Sequence, residues 1–170
     1  IIVYGAMINK RLLFMLLTLI GFIVMIEVYR LIKVIFKDNN NKIVLFYLIS
    51  IIYLSIFLPQ LYVFITSDNN NKLIFIYLLL VCVMTDLGGY IFGKLFRGKK
   101  LTNISPNKTY SGLIGSYILS NIVFIYFFFE FNFSYSFIVL TFIICSVSQI
   151  GDLFISYLKR KAKVKDTGNF

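Results

Sequence analysis

Histidine is absent from this 170-residue chain, and it holds only two cysteines, two prolines and seven acidic residues. Without histidine there is no imidazole base and no His-ligated metal. Cys82 and Cys145 both sit inside apolar runs, so no disulfide framework is expected and both read as small packing residues. Charge is scarce as well: 14% of residues are Asp, Glu, Lys or Arg, against about 25% in a soluble domain. No short apolar leader with a cleavage site opens the chain. It starts at Ile1 and not at Met, and the expectation is a fragment, or a chain numbered from an internal start.

What is present is apolar. Hydrophobic residues make up 59% and aromatics 18%, and the mean hydropathy is +0.88. That excludes disordered and collagen-like chains. It excludes an ordinary soluble globule too, which could not hide so much apolar surface from water. The chain belongs in a bilayer. A spanning helix needs about 20 mostly apolar residues. Five stretches qualify: Leu12–Tyr29, Ile43–Thr66, Leu73–Gly93, Tyr110–Glu130 and Ser134–Tyr157. Pro59 should kink the second or end it early. The runs are continuous and do not alternate, which argues against a β-barrel. The expected fold is all-α: a polytopic integral membrane bundle of about five transmembrane helices, with residues 1–170 as one membrane domain.

The breaks between runs are polar. Two Asn-rich tracts, 37–42 and 67–72, read as turn material, and Phe131, Asn132 and Phe133 as a tight turn. The net charge is +10, and its distribution is lopsided. Fourteen basic residues fall after spans one, three and five, from Arg30, Lys94 and Lys159 onward. Three, namely Lys10, Arg11 and Lys72, fall on the other side. The positive-inside rule then puts the basic loops and tail in the cytoplasm and residue 1 outside. In a membrane protein such charge answers anionic lipid headgroups, not nucleic acid.

Four acidic residues lie within the spans: Glu27, Asp86, Glu130 and Asp152. Glu27 and Glu130 sit near span ends and read as structural, reaching the interface or, for Glu27, pairing with Arg30. Asp86 lies eight residues before Lys94, and Asp152 seven before Lys159. At about 1.5 Å per residue, each carboxylate sits on the order of 10–12 Å below the cytoplasmic basic residues. Two readings stay open. Two carboxylates at one depth form a divalent-cation site suited to Mg²⁺. Otherwise each Asp merely pairs with a lysine reaching down from the interface. Ser148, Asp152 and Ser156 recur at i, i+4 with Lys159 beyond, a polar stripe expected to face inward.

Two blocks carry a family likeness. One is Met84-Thr-Asp86-Leu-Gly88-Gly-Tyr90-Ile-Phe-Gly93-Lys94, followed by Ile104-Ser105-Pro106-Asn-Lys108-Thr109-Tyr-Ser-Gly112. The other is Gln149-x-Gly151-Asp152, then Ser156, Lys159-Arg160, Lys165-Asp166 and Gly168. Together they resemble the phosphatidate cytidylyltransferases (CDP-diacylglycerol synthases), with a weaker echo at Glu27-Val-Tyr29-Arg30. Gly89 stands where that family commonly has Ala, Asn107 where it has Lys, and Ser111 where it has Glu. The chain ends at Phe170, before the family's Pro-Gly-His-Gly-Gly and Asp-Arg-x-Asp segment, so part of the metal site is expected to be missing.

The resemblance implies that CTP and phosphatidate give CDP-diacylglycerol and pyrophosphate, with Mg²⁺ as cofactor. It assigns metal binding to Asp152, metal binding or substrate positioning to Asp86, and catalytic roles to Lys159 and Asp166 as well. Lys94, Ser105, Lys108, Thr109, Ser156, Arg160 and Lys165 would bind substrate. The expected partners are the lipid bilayer, the two substrates and, as an option, a second copy in a homodimer; nucleic acid is not among them. The expected location is a bacterial inner membrane with the site facing the cytoplasm. An attacking phosphate is already an anion, so the lack of histidine is no objection. Two other classes stay open: an ion-coupled transporter using Asp86 and Asp152, and an inactive membrane remnant.

Overall fold

The structure is a computed structural model that describes residues 9–36, 39–102, 105 and 108–161. These form five helices: α1 (Lys10–Ile35), α2 (Asn40–Ser67), α3 (Asn69–Phe96), α4 (Tyr110–Phe131) and α5 (Ser136–Lys161). Each is long and apolar enough to cross a membrane, with mean hydropathy of 1.8 to 2.5 over its best window. Among the described residues there is no strand beyond one isolated bridge. The protein is an integral membrane protein of all-α architecture.

The helices overrun the apolar stretches because their ends are capped by the polar tracts between them. The Asn39 side chain accepts from the Lys42 N–H at 3.1 Å and opens α2. Between α2 and α3 only Asp68 is non-helical, and its carboxylate accepts from the Asn69 N–H at 2.6 Å. The Asn71 amide reaches back to the Ser67 hydroxyl at 2.8 Å. From Asn39 and from Asp68 onward, these polar residues are therefore caps and first turns of helices, where short polar side chains satisfy orphan N–H groups. At the other ends, Lys33, Lys94 and Lys159 to Lys161 fall in last turns, where they complement the negative pole of the helix.

Helix α2 does not end at Pro59, as one reading of the sequence allowed; it runs on to Ser67. Proline removes one N–H, and spanning helices tolerate that where neighbours repack around the freed carbonyl. Glu27 forms no ion pair with Arg30 among the described residues.

The chain divides into two compact units. In one, α1 and α2 pack antiparallel, with Phe14 against Tyr62, Gly21 against Leu58, Tyr29 against Tyr47 and Phe36 stacked on Phe46. The other unit, Ile74–Tyr157, holds most of α3 and α5 and all of α4.

Within Ile74–Tyr157 each pair of helices is joined by a hydrogen bond. The Ser116 hydroxyl of α4 donates to the Thr85 carbonyl of α3 at 2.6 Å. Tyr77 of α3 bonds Thr141 of α5 and donates to the Phe137 carbonyl at 3.1 Å. Tyr117 of α4 meets Ser146 of α5 at 2.7 Å. Such bonds contribute about 0.6 kcal/mol each in a membrane, rarely above about 1.7. Around Tyr77 the rings of Phe127, Phe133 and Phe137 close an aromatic cluster, with centroids 5.1 to 5.6 Å from it. Asn132, with φ 52° and ψ 41°, ends α4 in the left-handed region and turns the chain into α5, a conformation asparagine tolerates.

Small residues let α3 and α4 approach until backbone meets backbone. A Cβ on Gly88 would lie 2.8 Å from the Ser116 Cα and closer still to the Gly115 carbonyl; one on Gly112 would lie 2.6 Å from the Gly89 oxygen. By contrast, nothing lies within 4 Å of where a Gly151 Cβ would stand. We expect Gly88→Ala to cost about 1–3 kcal/mol through overpacking, read as a lower unfolding temperature in detergent. Gly151→Ala should leave it unchanged or raise it, since alanine is favoured in a helix by up to about 1 kcal/mol.

Candidate active site

The close approach of α3 to α4 fixes the end of the unit where the acidic residues lie. There a cavity of about 280 Å³ opens. Helix α3 contributes Thr85, Asp86, Gly89 and Tyr90 to its wall; α4 contributes Gly112, Leu113 and Ser116; α5 contributes Gln149 and Asp152. The segment joining α3 to α4 supplies the remaining wall through Leu101, Ser105, Lys108 and Thr109.

That joining segment is built as a strap. Arg97, with φ 42°, turns the chain out of α3 in the left-handed region. The Tyr110 N–H donates to the Lys99 carbonyl at 3.0 Å and the Leu101 N–H to the Lys108 carbonyl at 2.8 Å, a short antiparallel bridge between Lys100 and Thr109. The Lys108 N–H donates to the Ser105 carbonyl at 3.1 Å. The Thr109 side chain caps α4, accepting from the Gly112 N–H at 3.1 Å. Its hydroxyl also lies 3.0 Å from that of Ser111, which accepts from the Gly98 N–H at 3.2 Å. These bonds hold the backbone of Lys108 at the cavity wall.

From there the Lys108 ammonium donates to the Asp152 carboxylate at 3.0 Å. It is the one ion pair among the described residues. One of the two sequence readings, a lysine reaching down to an aspartate, thus describes Asp152. Asp86 borders the same cavity with no ion-pair partner among the described residues. Both carboxylates, the hydroxyls of Ser105 and Thr109 and the amide of Gln149 present oxygen, the donor that hard divalent cations take. No group of three or more His, Cys, Asp or Glu occurs among the described residues. A cation here would complete its shell with water or phosphate oxygen.

Of the residues singled out from sequence, Asp86, Asp152, Ser105, Lys108 and Thr109 come together at this cavity. Ser148 and Ser156 do not line it; the cavity takes Gln149, three residues before Asp152, in their place. Lys94 sits instead over the Tyr90 ring, 5.6 Å from its centroid, on a separate shallow surface that shares Tyr90 with the cavity. Lys159 and Arg160 fall in the last turn of α5. Lys165 and Asp166 lie outside the described residues. Thr85, Tyr90, Ser116 and Gln149 were not among the chosen site residues. Thr85, Tyr90 and Gln149 already stood inside the two blocks that carry the family likeness, and Gln149 also lies at i, i+3 to Asp152.

The cytidylyltransferase family model matches residues 1–170. The chain belongs to the cytidylyltransferase family. Among curated proteins, a phosphatidate cytidylyltransferase of Staphylococcus haemolyticus (strain JCSC1435) is 42% identical over 93 residues, which is 52% of this chain and 36% of that protein. One from Helicobacter pylori (strain ATCC 700392 / 26695) is 36% identical over 91 residues, 52% of this chain and 34% of that protein. One from Staphylococcus aureus (strain COL) is 40% identical over 93 residues, with shares of 52% and 36%. The matched region thus spans about a third of the length of these relatives. No solved structure matches the chain. Membership in the cytidylyltransferase family favours neither the ion-coupled transporter nor the inactive remnant.

Proposed function

We propose that this cytidylyltransferase-family chain carries the site at which a phosphatidate phosphate attacks the α-phosphorus of CTP. A new P–O bond forms to the lipid phosphate. The bond from the α-phosphorus to the bridging oxygen breaks, and pyrophosphate leaves with that electron pair. The products are CDP-diacylglycerol and pyrophosphate. The observation that carries the reading is one cavity walled by two carboxylates, Asp86 and Asp152, and the cation of Lys108, at one end of three membrane-spanning helices. The names of the relatives support it.

The attacking phosphate is an anion, so the site needs no strong base. Its work is charge neutralisation and alignment in a small, partly enclosed volume. Lys108 would bind a phosphate oxygen from the strap. Ser105 and Thr109 offer hydroxyls beside it, and the rigid α3–α4 seam holds Asp86 in place. Asp86 and Asp152 would hold Mg²⁺, which when bound supplies positive charge to neutralise phosphate oxygens. The lipid would be fixed by its acyl chains in the bilayer, and the nucleotide would arrive from the aqueous face. The basic residues from Arg30, Lys94 and Lys159 onward support a cytoplasmic position for that face, in the inner membrane of a bacterium.

Two experiments test this. In membranes expressing the complete reading frame, Asp152→Asn should abolish transfer of label from CTP to lipid while leaving the protein inserted; asparagine keeps the shape but removes the charge a divalent cation needs. Undiminished transfer would refute the assignment. For orientation, single cysteines at Asn71 and Lys100, on a background lacking Cys82 and Cys145, should be labelled by an impermeant maleimide from opposite sides, Lys100 from the cytoplasm. Labelling of both from one side would refute the topology.

A further inference from the structure

We propose that Lys108 and a divalent cation are alternative partners of Asp152, and that this exchange makes cation and phosphate bind cooperatively. The inference rests on the reading of Asp152 as a cation ligand given above. When the cation takes the carboxylate, the released ammonium binds a phosphate oxygen; when the cation leaves, Lys108 returns to Asp152.

Four observations lead here. First, the Lys108 ammonium lies 3.0 Å from one Asp152 oxygen, Oδ2, in the cavity that Asp86 also borders. A divalent cation in that cavity has two carboxylates to gain, whereas the ammonium holds one. Second, the Asp152 side chain is 59% exposed and that of Lys108 25%. The carboxylate is open to an incoming ion, and the exchange requires no unpacking of a buried pair. Third, the lysine's backbone is tied on both sides, its carbonyl to the Leu101 N–H and its N–H to the Ser105 carbonyl. Only the flexible four-carbon side chain has to move, and an ammonium is a compact charge with no fixed geometry to lose. Fourth, Asp152 is the one acidic partner of Lys108 among the described residues. Once displaced, the ammonium needs a new anion, and a substrate phosphate at the cavity provides it. Each ligand then favours the other by the same factor, as linkage requires.

The test uses Mn²⁺ as the probe, followed by the loss of its free-ion electron paramagnetic resonance signal on titration into the purified, complete protein in detergent. Lys108→Ala and Lys108→Gln should both bind Mn²⁺ more tightly than the wild type, by about two- to fivefold for loss of a partly exposed competing pair. A purely structural role for Lys108 would weaken binding instead, and the glutamine variant retains most of the side chain and a hydrogen-bond donor should alanine disturb the strap. Inorganic phosphate, corrected for its own Mn²⁺ complex, should tighten Mn²⁺ binding in the wild type and do so less in either variant. Equal or weaker Mn²⁺ binding by both variants would overturn the exchange. Asp152→Asn separates the two readings. If it loses Mn²⁺ while the Lys108 variants match the wild type, the exchange alone fails. If it binds Mn²⁺ as the wild type does, Asp152 is no cation ligand and both readings fall.

Discussion

The contact of α3 with α4 at Gly88, Gly89, Gly112 and Gly115 is the constraint on which the candidate site depends. In a bilayer, apolar side chains give helices no reason to prefer each other over lipid tails, so association relies on close packing and polar bonds. Here glycine lets the Ser116 hydroxyl reach the Thr85 carbonyl at 2.6 Å. That bond lies next to Asp86 in sequence on one side. On the other, α4 begins at Thr109, whose cap ends the strap bearing Lys108. One seam thereby sets the positions of a carboxylate on α3 and a cation on the strap.

The third helix enters through different contacts. Tyr77 with Thr141 and Phe137, and Tyr117 with Ser146, register α5 against α3 and α4. The aromatic cluster around Tyr77 closes the far end of the unit, away from the cavity. Helix α5 runs parallel to α3, so the register set at Thr141 places Gln149 and Asp152 at the cavity three turns later. The aromatic cluster at one end and the candidate site at the other are thus separated along the same three helices. A carboxylate inside a span is costly, by roughly 2.5–3.5 kcal/mol even on lenient scales. Asp152 has Lys108 as its ion-pair partner, and both carboxylates border the cavity.

Much of this was legible in the sequence. The five apolar runs gave all five helices, because continuous hydrophobicity over about 20 residues has few other solutions. Asp86 and Asp152 stood out because charge inside a span is rare. The strap was not legible: its bridge between Lys100 and Thr109 consists of backbone hydrogen bonds, which leave no side-chain pattern. Which neighbours of Asp152 on α5 share the cavity was not legible either. Ser148 and Gln149 precede Asp152 by four and three residues, and both spacings put a side chain beside it; Gln149 is the one that borders the cavity. The Asn-rich tracts were read as turns because asparagine favours turns and N-caps for the same reason, a short side chain that bonds nearby backbone.

The central claim is that Asp86 and Asp152 share one cation-holding cavity beneath the Lys108 strap. The most direct measurement is an experimental structure of the complete protein with Mn²⁺, using anomalous scattering to locate the metal. A peak between the Asp86 and Asp152 carboxylates, within coordinating distance of at least one oxygen of each, is the predicted result. Carboxylates on separate faces of the bundle, or a bound metal that touches neither of them, would contradict the account.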